Sequence, residues 1–281
     1  EPGRSNHRMV VGPWEHASYV NPFSTSSNGV WEFGLEASSG VGLSGSLVLD
    51  WMDRWVKEET SDAASGVRYW QMGENCWNEV DVWPPVGVET SWYLSSDGGD
   101  AAMRNEGELV LEAPDSQSAD TFDYDPVDPT PTVGGKILMP FIQLAGVYDQ
   151  TPVEKRPDVI CYTSPVLTEP VVVSGPVKCV LWVSTSAVDT DFTAKLLDVE
   201  ADGIAANLAD GIVRLSRTFP DDSVGPGTVQ KVEIDLWDLG HTFLPGHQIR
   251  LEVASANFPR FDRNLNVISN SGFLSLDDAV V

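Results

Sequence analysis

Basic side chains are scarce in this sequence: 17 Lys and Arg stand against 42 Asp and Glu, a formal net charge of −25. Phosphate backbones are bound through clustered Lys and Arg, so this balance argues against nucleic acid as a partner. The same deficit argues against adhesion to an anionic membrane surface. No apolar run approaches the roughly 20 residues needed to cross a bilayer, which excludes a helical membrane span. Cysteine is also sparse. Cys76, Cys161 and Cys179 are odd in number, widely spaced and without a CxxC pair, so neither a disulfide framework nor a zinc cluster is expected. Cys161 and Cys179 lie in apolar, strand-like runs, where a free thiol behaves as a small hydrophobe. A reducing, cytoplasmic location fits; secretion is also compatible, since acidic exoenzymes often lack disulfides. No signal-peptide pattern opens the sequence, and there is no internal repeat or low-complexity tract. The skew of 25 Asp against six Lys suits a protein kept soluble in high salt.

What is present is enough to build a core. Apolar residues make up 42%, including ten Trp and ten Phe, so disorder over the bulk of the chain is excluded. The 281 residues allow one large domain or two ordinary ones. Two regions differ in periodicity. In the first, residues 1–64, His7-Arg8-Met9-Val10-Val11-Gly12-Pro13 reads as a short buried strand ended by Gly-Pro. A polar loop rich in Gly and Ser follows. Leu43 to Glu58 reads as a helix whose apolar residues Leu47, Val48, Trp51, Met52, Trp55 and Val56 form one buried stripe. On its other side, Asp50–Arg54 and Asp53–Lys57 are i,i+4 pairs.

The second region, 65–281, contains almost no helical pattern. Strand-like runs recur: Val67–Met72, Ser91–Ser95, Glu108–Glu112, Val159–Tyr162, Val171–Val173, Val177–Ser186, Phe192–Val199, Ile212–Arg217, Gln230–Leu236 and Gln248–Ala256, with turns marked by Asp97-Gly98-Gly99, Asp202-Gly203, Asp210-Gly211, Gly225-Pro226-Gly227 and Pro245-Gly246. Short strands at this spacing predict a mainly β fold, a two-sheet sandwich of the jelly-roll kind. Val177, Cys179, Leu181 and Val183 share one face, with Lys178 and Ser184 on the other, a clear strand alternation.

The most informative segment for chemistry is Val10-Val11-Gly12-Pro13-Trp14-Glu15-His16, which sets a His in a loop just beyond a strand. That is the place of the general base in an α/β-hydrolase, and His suits the role because its pKa lies near working pH. Position alone is weak evidence, because a His after a strand is more often an ordinary loop residue. No Gly-x-Ser-x-Gly elbow accompanies it. The nearest segment, Gly42-Leu43-Ser44-Gly45-Ser46, ends in Ser. Ser44 also follows His16, against the Ser, acid, His order of that fold, so it reads as a residue near a helix cap. Asp189-Thr190-Asp191 lacks the Gly and Glu of a calcium loop and reads as a turn. Asn257 to Asn264 reads as a structural corner with Arg–Asp pairing. Trp70, Trp77, Trp83 and Trp92 could form a sugar-stacking platform, but Trp in strands is more often core or interface.

Several phrases, taken together, resemble the bacterial cocaine esterase / X-prolyl dipeptidyl peptidase family. They are Gly12-Pro13-Trp14-x-His16, Asp120-Thr121-Phe122-x-Tyr124-Asp125-Pro126-x-Asp128-Pro129, Ser186 through Leu196, Asp210-Gly211-Ile212-Val213-Arg214, Phe243-Leu244-Pro245-Gly246-His247, and Asn257 through Asn264. They occur in the family's order over nearly the whole chain. The resemblance implies that 1–64 is the C-terminal remnant of an α/β-hydrolase domain: its last strand, the His loop and a helix. A galactose-binding-like jelly roll would follow over 65–281. It implies that His16 is the base of a Ser-His-Asp triad, whose Ser and Asp lie upstream with the helical cap and the oxyanion-hole Tyr. A final strand would follow Val281.

Leu138 and Met139 align with a Leu-Phe pair that lines the acyl pocket in the cocaine esterase, and Trp14 beside the base shapes the loop and could touch substrate. No cofactor or metal is implied. The expected partners are a small ester or amide substrate and the upstream hydrolase and cap segments; a homodimer is compatible, as some relatives are dimers. On this reading the 281 residues alone are inactive. The competing reading is a carbohydrate-binding or purely structural jelly-roll module without catalysis.

Overall fold

The computed structural model of the chain describes residues 7–15, 27–42, 45–58, 66–100, 107–116, 118–137, 145–219, 225–268 and 275–281. The first region contributes β1 (Arg8–Val11), a hairpin of β2 (Ser27–Asn28) and β3 (Trp31–Glu32), a short helix α1 (Ser39–Gly42) and a longer one, α2 (Gly45–Val56). β4 (Gly66–Gln71) then pairs parallel with β1, in the register Arg8 to Gly66 through Val11 to Tyr69. A parallel pair needs a crossover connection, and α2 is part of that connection. β5 (Cys76–Val80), which the strand pattern does not predict, folds back antiparallel on β4.

The remaining strands are β6 (Tyr93–Ser95), β7 (Gly99–Asp100), β8 (Gly107–Val110), β9 (Asp120–Thr121), β10 (Ile160–Thr163), β11 (Val171–Val183), β12 (Asp191–Val199), β13 (Ala205–Arg214), β14 (Gln230–Phe243) and β15 (Gln248–Ala254). Single helical turns α3 (Thr151–Glu154) and α4 (Leu215–Thr218) interrupt them. One sheet has the order β13-β12-β15-β10-β8-β6, and β11 pairs with β14 in a long two-stranded ribbon opposite it. The fold is thus mainly β and a sandwich, as the strand spacing predicts.

The core lies between these layers. Phe192, Ala194 and Leu196 of β12 meet Val232, Ile234 and Leu236 of β14, with Cys179, Leu181, Leu251 and Val253 around them. The alternation in β11 holds: Cys179 and Leu181 are buried while Val180 and Trp182 are exposed. Every residue of β12 is buried, because its odd-numbered face is covered too. There Lys195 lies under the segment that leads into α3, its Nζ 3.1 Å from Gln150 Oε1 and 3.3 Å from Glu252 Oε2.

Several expectations need correction. β14 continues to Phe243, seven residues beyond its expected end at Leu236, because Asp238 to Phe243 remain paired with β11. The register slips between Val177 and Lys178, which leaves Leu236 without a partner in β11, and the adjacent Trp237 lies in the left-handed region at φ 69°. The two predicted runs 171–173 and 177–186 are one strand, extended through Gly175-Pro176. Asp210-Gly211 is interior to β13 rather than a turn, and Leu215–Thr218 is helical rather than extended.

The largest corrections concern burial. β1 is not a buried strand: Met9 and Val11 are 44% and 46% exposed. The α2 stripe is not buried either, with Val48, Met52, Trp55 and Val56 between 40% and 72% exposed. Periodicity establishes which residues share a face; it does not supply the surface that covers them. The Asp53–Lys57 pair forms at 2.5 Å.

Candidate functional site

His16, Leu138 and Met139, and also Ser44, lie outside the described residues. The stems that carry the first three are described, and the sequence explains their shape. Val11 ends β1, and Gly12-Pro13 turns the chain. A Cβ at Gly12 would lie 2.2 Å from the Trp14 ring, so only Gly lets the indole fold back over the turn. Trp14 is half-buried. Its Nε1 donates to the Ala37 carbonyl at 2.6 Å, and its ring lies 5.9 Å from that of Trp77. The indole N–H is therefore satisfied within the protein.

The chain re-enters the described structure at the β2–β3 hairpin. There the Val30 amide donates to the Val147 carbonyl at 2.7 Å, and Phe33 and Ala37 pack with Trp70, Val147 and Ala206. Trp77 Nε1 donates to Glu36 O at 2.8 Å. Trp14 thus ties the 35–37 turn to the end of β1 that leads into His16, and Trp77 ties the same turn to β5.

The second stem brackets Leu138 and Met139. Gly135 and Gly146 exchange backbone hydrogen bonds of 2.7 and 3.1 Å, which bring the two ends of that segment together. Gly134 must be Gly: its φ is 65°, and a Cβ would meet the Tyr148 ring at 2.5 Å and Gly146 O at 2.6 Å. The Tyr148 amide is fixed by Asn207 Oδ1 at 2.6 Å. Beside Gly135 the Arg260 guanidinium contacts both oxygens of Asp210 at 2.5 Å, and Asn257 donates to the same carboxylate at 3.0 Å. Burial pushes the Lys136 ammonium below its ordinary range. The two stems meet, since Gly29 of the hairpin bridges Val147 in parallel pairing.

The other sequence candidates resolve into structure. The corner 257–264 pairs as expected, and the recognised phrases prove to be one another's partners. Arg214 grips Asp191 with two hydrogen bonds of 2.7 and 2.8 Å, and Asn264 donates to both Asp189 and Asp191. Asp189 also accepts from the Ser216 amide and hydroxyl. Burial raises the Asp191 pKa, against the opposing pull of Arg214 and Asn264. Tyr124 donates to Asn264 O, and Arg263 to Pro126 O. The four Trp of the supposed platform do not form one. Trp70 is buried, Trp77 and Trp83 donate to Glu36 O and Asp238, and Trp92 packs on the main core. Burial raises all three thiols, Cys179 to about 12, so none is an activated nucleophile.

Sequence reasoning missed one cluster. Asp198 stands between two imidazoles, with His241 Nε2 2.9 Å from Oδ2 and His247 Nδ1 2.8 Å from Oδ1. The phrase ending at His247 pointed toward it. His241 gave no signal, because the strand was expected to end before it.

Comparison with known proteins follows the same lines. Residues 60–272 match the family model described as the X-Pro dipeptidyl-peptidase C-terminal non-catalytic domain. The chain is 41% identical to the cocaine esterase of Rhodococcus sp. (strain MB1 Bresler) over 268 residues, which is 92% of this chain and 45% of that protein. Among solved structures, an aminopeptidase from the marine sediment archaeon Thaumarchaeota archaeon aligns with TM-score 0.79 and 26% identity, covering 98% of this chain and 46% of that one. An α-amino acid ester hydrolase aligns with TM-score 0.80 at 24% identity, covering 99% and 48%, and speaks to the fold alone. The chain spans about half the length of the curated relatives it matches.

Proposed function

The chain belongs to the family of the X-Pro dipeptidyl-peptidase C-terminal domain, and from that premise we propose that it is the C-terminal part of a serine hydrolase that cleaves ester or amide bonds. Residues 1–64 are the end of the catalytic domain and 65–281 the sandwich domain. His16 is the general base, and the nucleophilic Ser and triad Asp come from upstream segments. Ser attacks the carbonyl while His16 takes its proton; the same imidazole then activates water to release the acyl group. Leu138 and Met139 line the acyl side, where the flexible thioether fits irregular apolar groups better than a ring would. Trp14 acts by fixing the loop, since its N–H is already committed to Ala37.

One observation carries this reading: the Gly29–Val147 bridge joins the stem of the base loop to the stem of the acyl-side loop. The uncovered apolar face of α2 and β1 supports it, as the surface on which the upstream part of the catalytic domain would pack.

The test is direct. This chain alone should not hydrolyse nitrophenyl esters. Joined to the upstream portion of its gene, it should do so, be blocked by serine-directed phosphonates, and lose several orders of magnitude in kcat with His16→Ala. Hydrolysis by the isolated chain, itself abolished by His16→Ala, would overturn the assignment.

A further inference from the structure

His241 is fully buried in β14, and its surroundings are unusual for an imidazole. Nε2 faces the Asp198 carboxylate at 2.9 Å, but Nδ1 is buried with no hydrogen-bond partner. Trp31 of the hairpin lies flat on the ring, with centroids 5.4 Å apart and planes at 15°. Phe243 closes it edge-on at 4.6 Å. Trp31 is held in turn by its own Nε1, which donates to Glu200 at 2.5 Å. The aromatic lid over a titratable ring therefore belongs to the strap, residues 27–37, that the sandwich must hold.

We propose that His241 is a pH-operated latch: neutral, it seats Trp31 and the 27–37 strap on the sandwich; protonated, it releases them. In the neutral ring the single proton sits on Nε2 and is donated to Asp198. A second proton must go to Nδ1, where it would be a buried donor without an acceptor, and such a group carries its full desolvation penalty. Opening the Trp31 lid lets water reach it.

The groups facing the ring do not all pull one way. Asp198, from β12, and the indole face of Trp31 favour the charge. His247, on the other oxygen of Asp198, opposes it. Glu200 acts from beyond Trp31. Glu74 reaches the neighbouring Thr242 hydroxyl at 3.2 Å. Burial outweighs the rest and holds the His241 pKa below its ordinary 6.5. A base whose pKa is depressed in the closed form stabilises that form fully above the ordinary value, and the contribution declines as pH falls below it. The strap should thus loosen on the acid side, below about pH 6.5. The inference does not depend on the hydrolase reading, because its readout is the strap itself.

Hydrogen exchange of this chain between pH 7.5 and 5 tests it. After correction for intrinsic exchange, protection of the Val30 amide should fall about tenfold for each unit by which the ring's pKa differs between closed and open strap. Amides of β12 should keep theirs. His241→Asn should remove the pH dependence; the same dependence in that variant, or flat protection in the native chain, would overturn the latch. Should the variant not fold, a ring titration of native His241 by NMR decides: a midpoint coincident with strap release supports the proposal, and a ring still neutral when the strap has opened refutes it.

Discussion

The sandwich and the region before it use apolar residues in the same patterns and to opposite effect. In β12 and β14 alternating residues meet a facing layer, so Ala194, Ile234 and Leu197 reach 0% exposure. In β1 and α2 the apolar residues are as regularly spaced, yet Met9 and Val56 stand 44% and 72% exposed. Patterning prepares a face, and only a neighbour buries it. The polar groups differ in the same sense. The sandwich buries Asp191, Lys195, Asp198, Asp210 and Glu252, each held by a hydrogen-bonded or ionic partner. The charges along α2 form surface pairs such as Asp53–Lys57.

That contrast can be broken most forcefully at Arg260. Replacing it by Met would leave the buried Asp210 carboxylate with Asn257 as its remaining donor among the described residues. The expected cost is about 3–5 kcal/mol, measured by urea unfolding; a loss under 1 kcal/mol would mean the pair is dispensable. Next comes a matched pair of truncations. Ile234→Ala in the core should cost about 2–5 kcal/mol, while Val56→Ala on the open helix face should stay within about 0.5 kcal/mol. Similar values for the two would erase the distinction between the regions.

Joining the upstream portion that the proposed function requires sharpens the same comparison. Val56→Asp should then destabilise the joined protein by more than 1 kcal/mol, as burying an unpaired charge does, while remaining nearly neutral in this chain alone. The smallest effect is expected at Asp53→Asn, a few tenths of a kcal/mol and sensitive to salt.

How much of this was legible beforehand follows from range. The alternation of Cys179 and Leu181 with their exposed neighbours is set by neighbours in sequence, and it held. So did the turns at Asp202-Gly203 and Pro245-Gly246, where local conformation decides. Residues 237–243 fall outside the strand expected to end at Leu236, because pairing with the 13-residue strand β11, a distant segment, is what extends β14. At the candidate site, the resemblance named His16, Leu138, Met139 and Trp14, the last as a residue that shapes its loop and could touch substrate. Its actual hydrogen bond runs to Ala37, 23 positions away, which no local pattern encodes.

By itself, the sequence determined the class of fold, the acidic surface, the lack of disulfide or zinc signatures and the family phrases, because composition and short-range periodicity follow from the residues alone. Tertiary structure decided which apolar faces are covered, that the family phrases pair with one another, and that His241 lies beneath Trp31, 210 positions earlier in the chain. Those outcomes rest on contacts between distant segments, and burial, desolvation and the partnering of charge exist only once such segments meet.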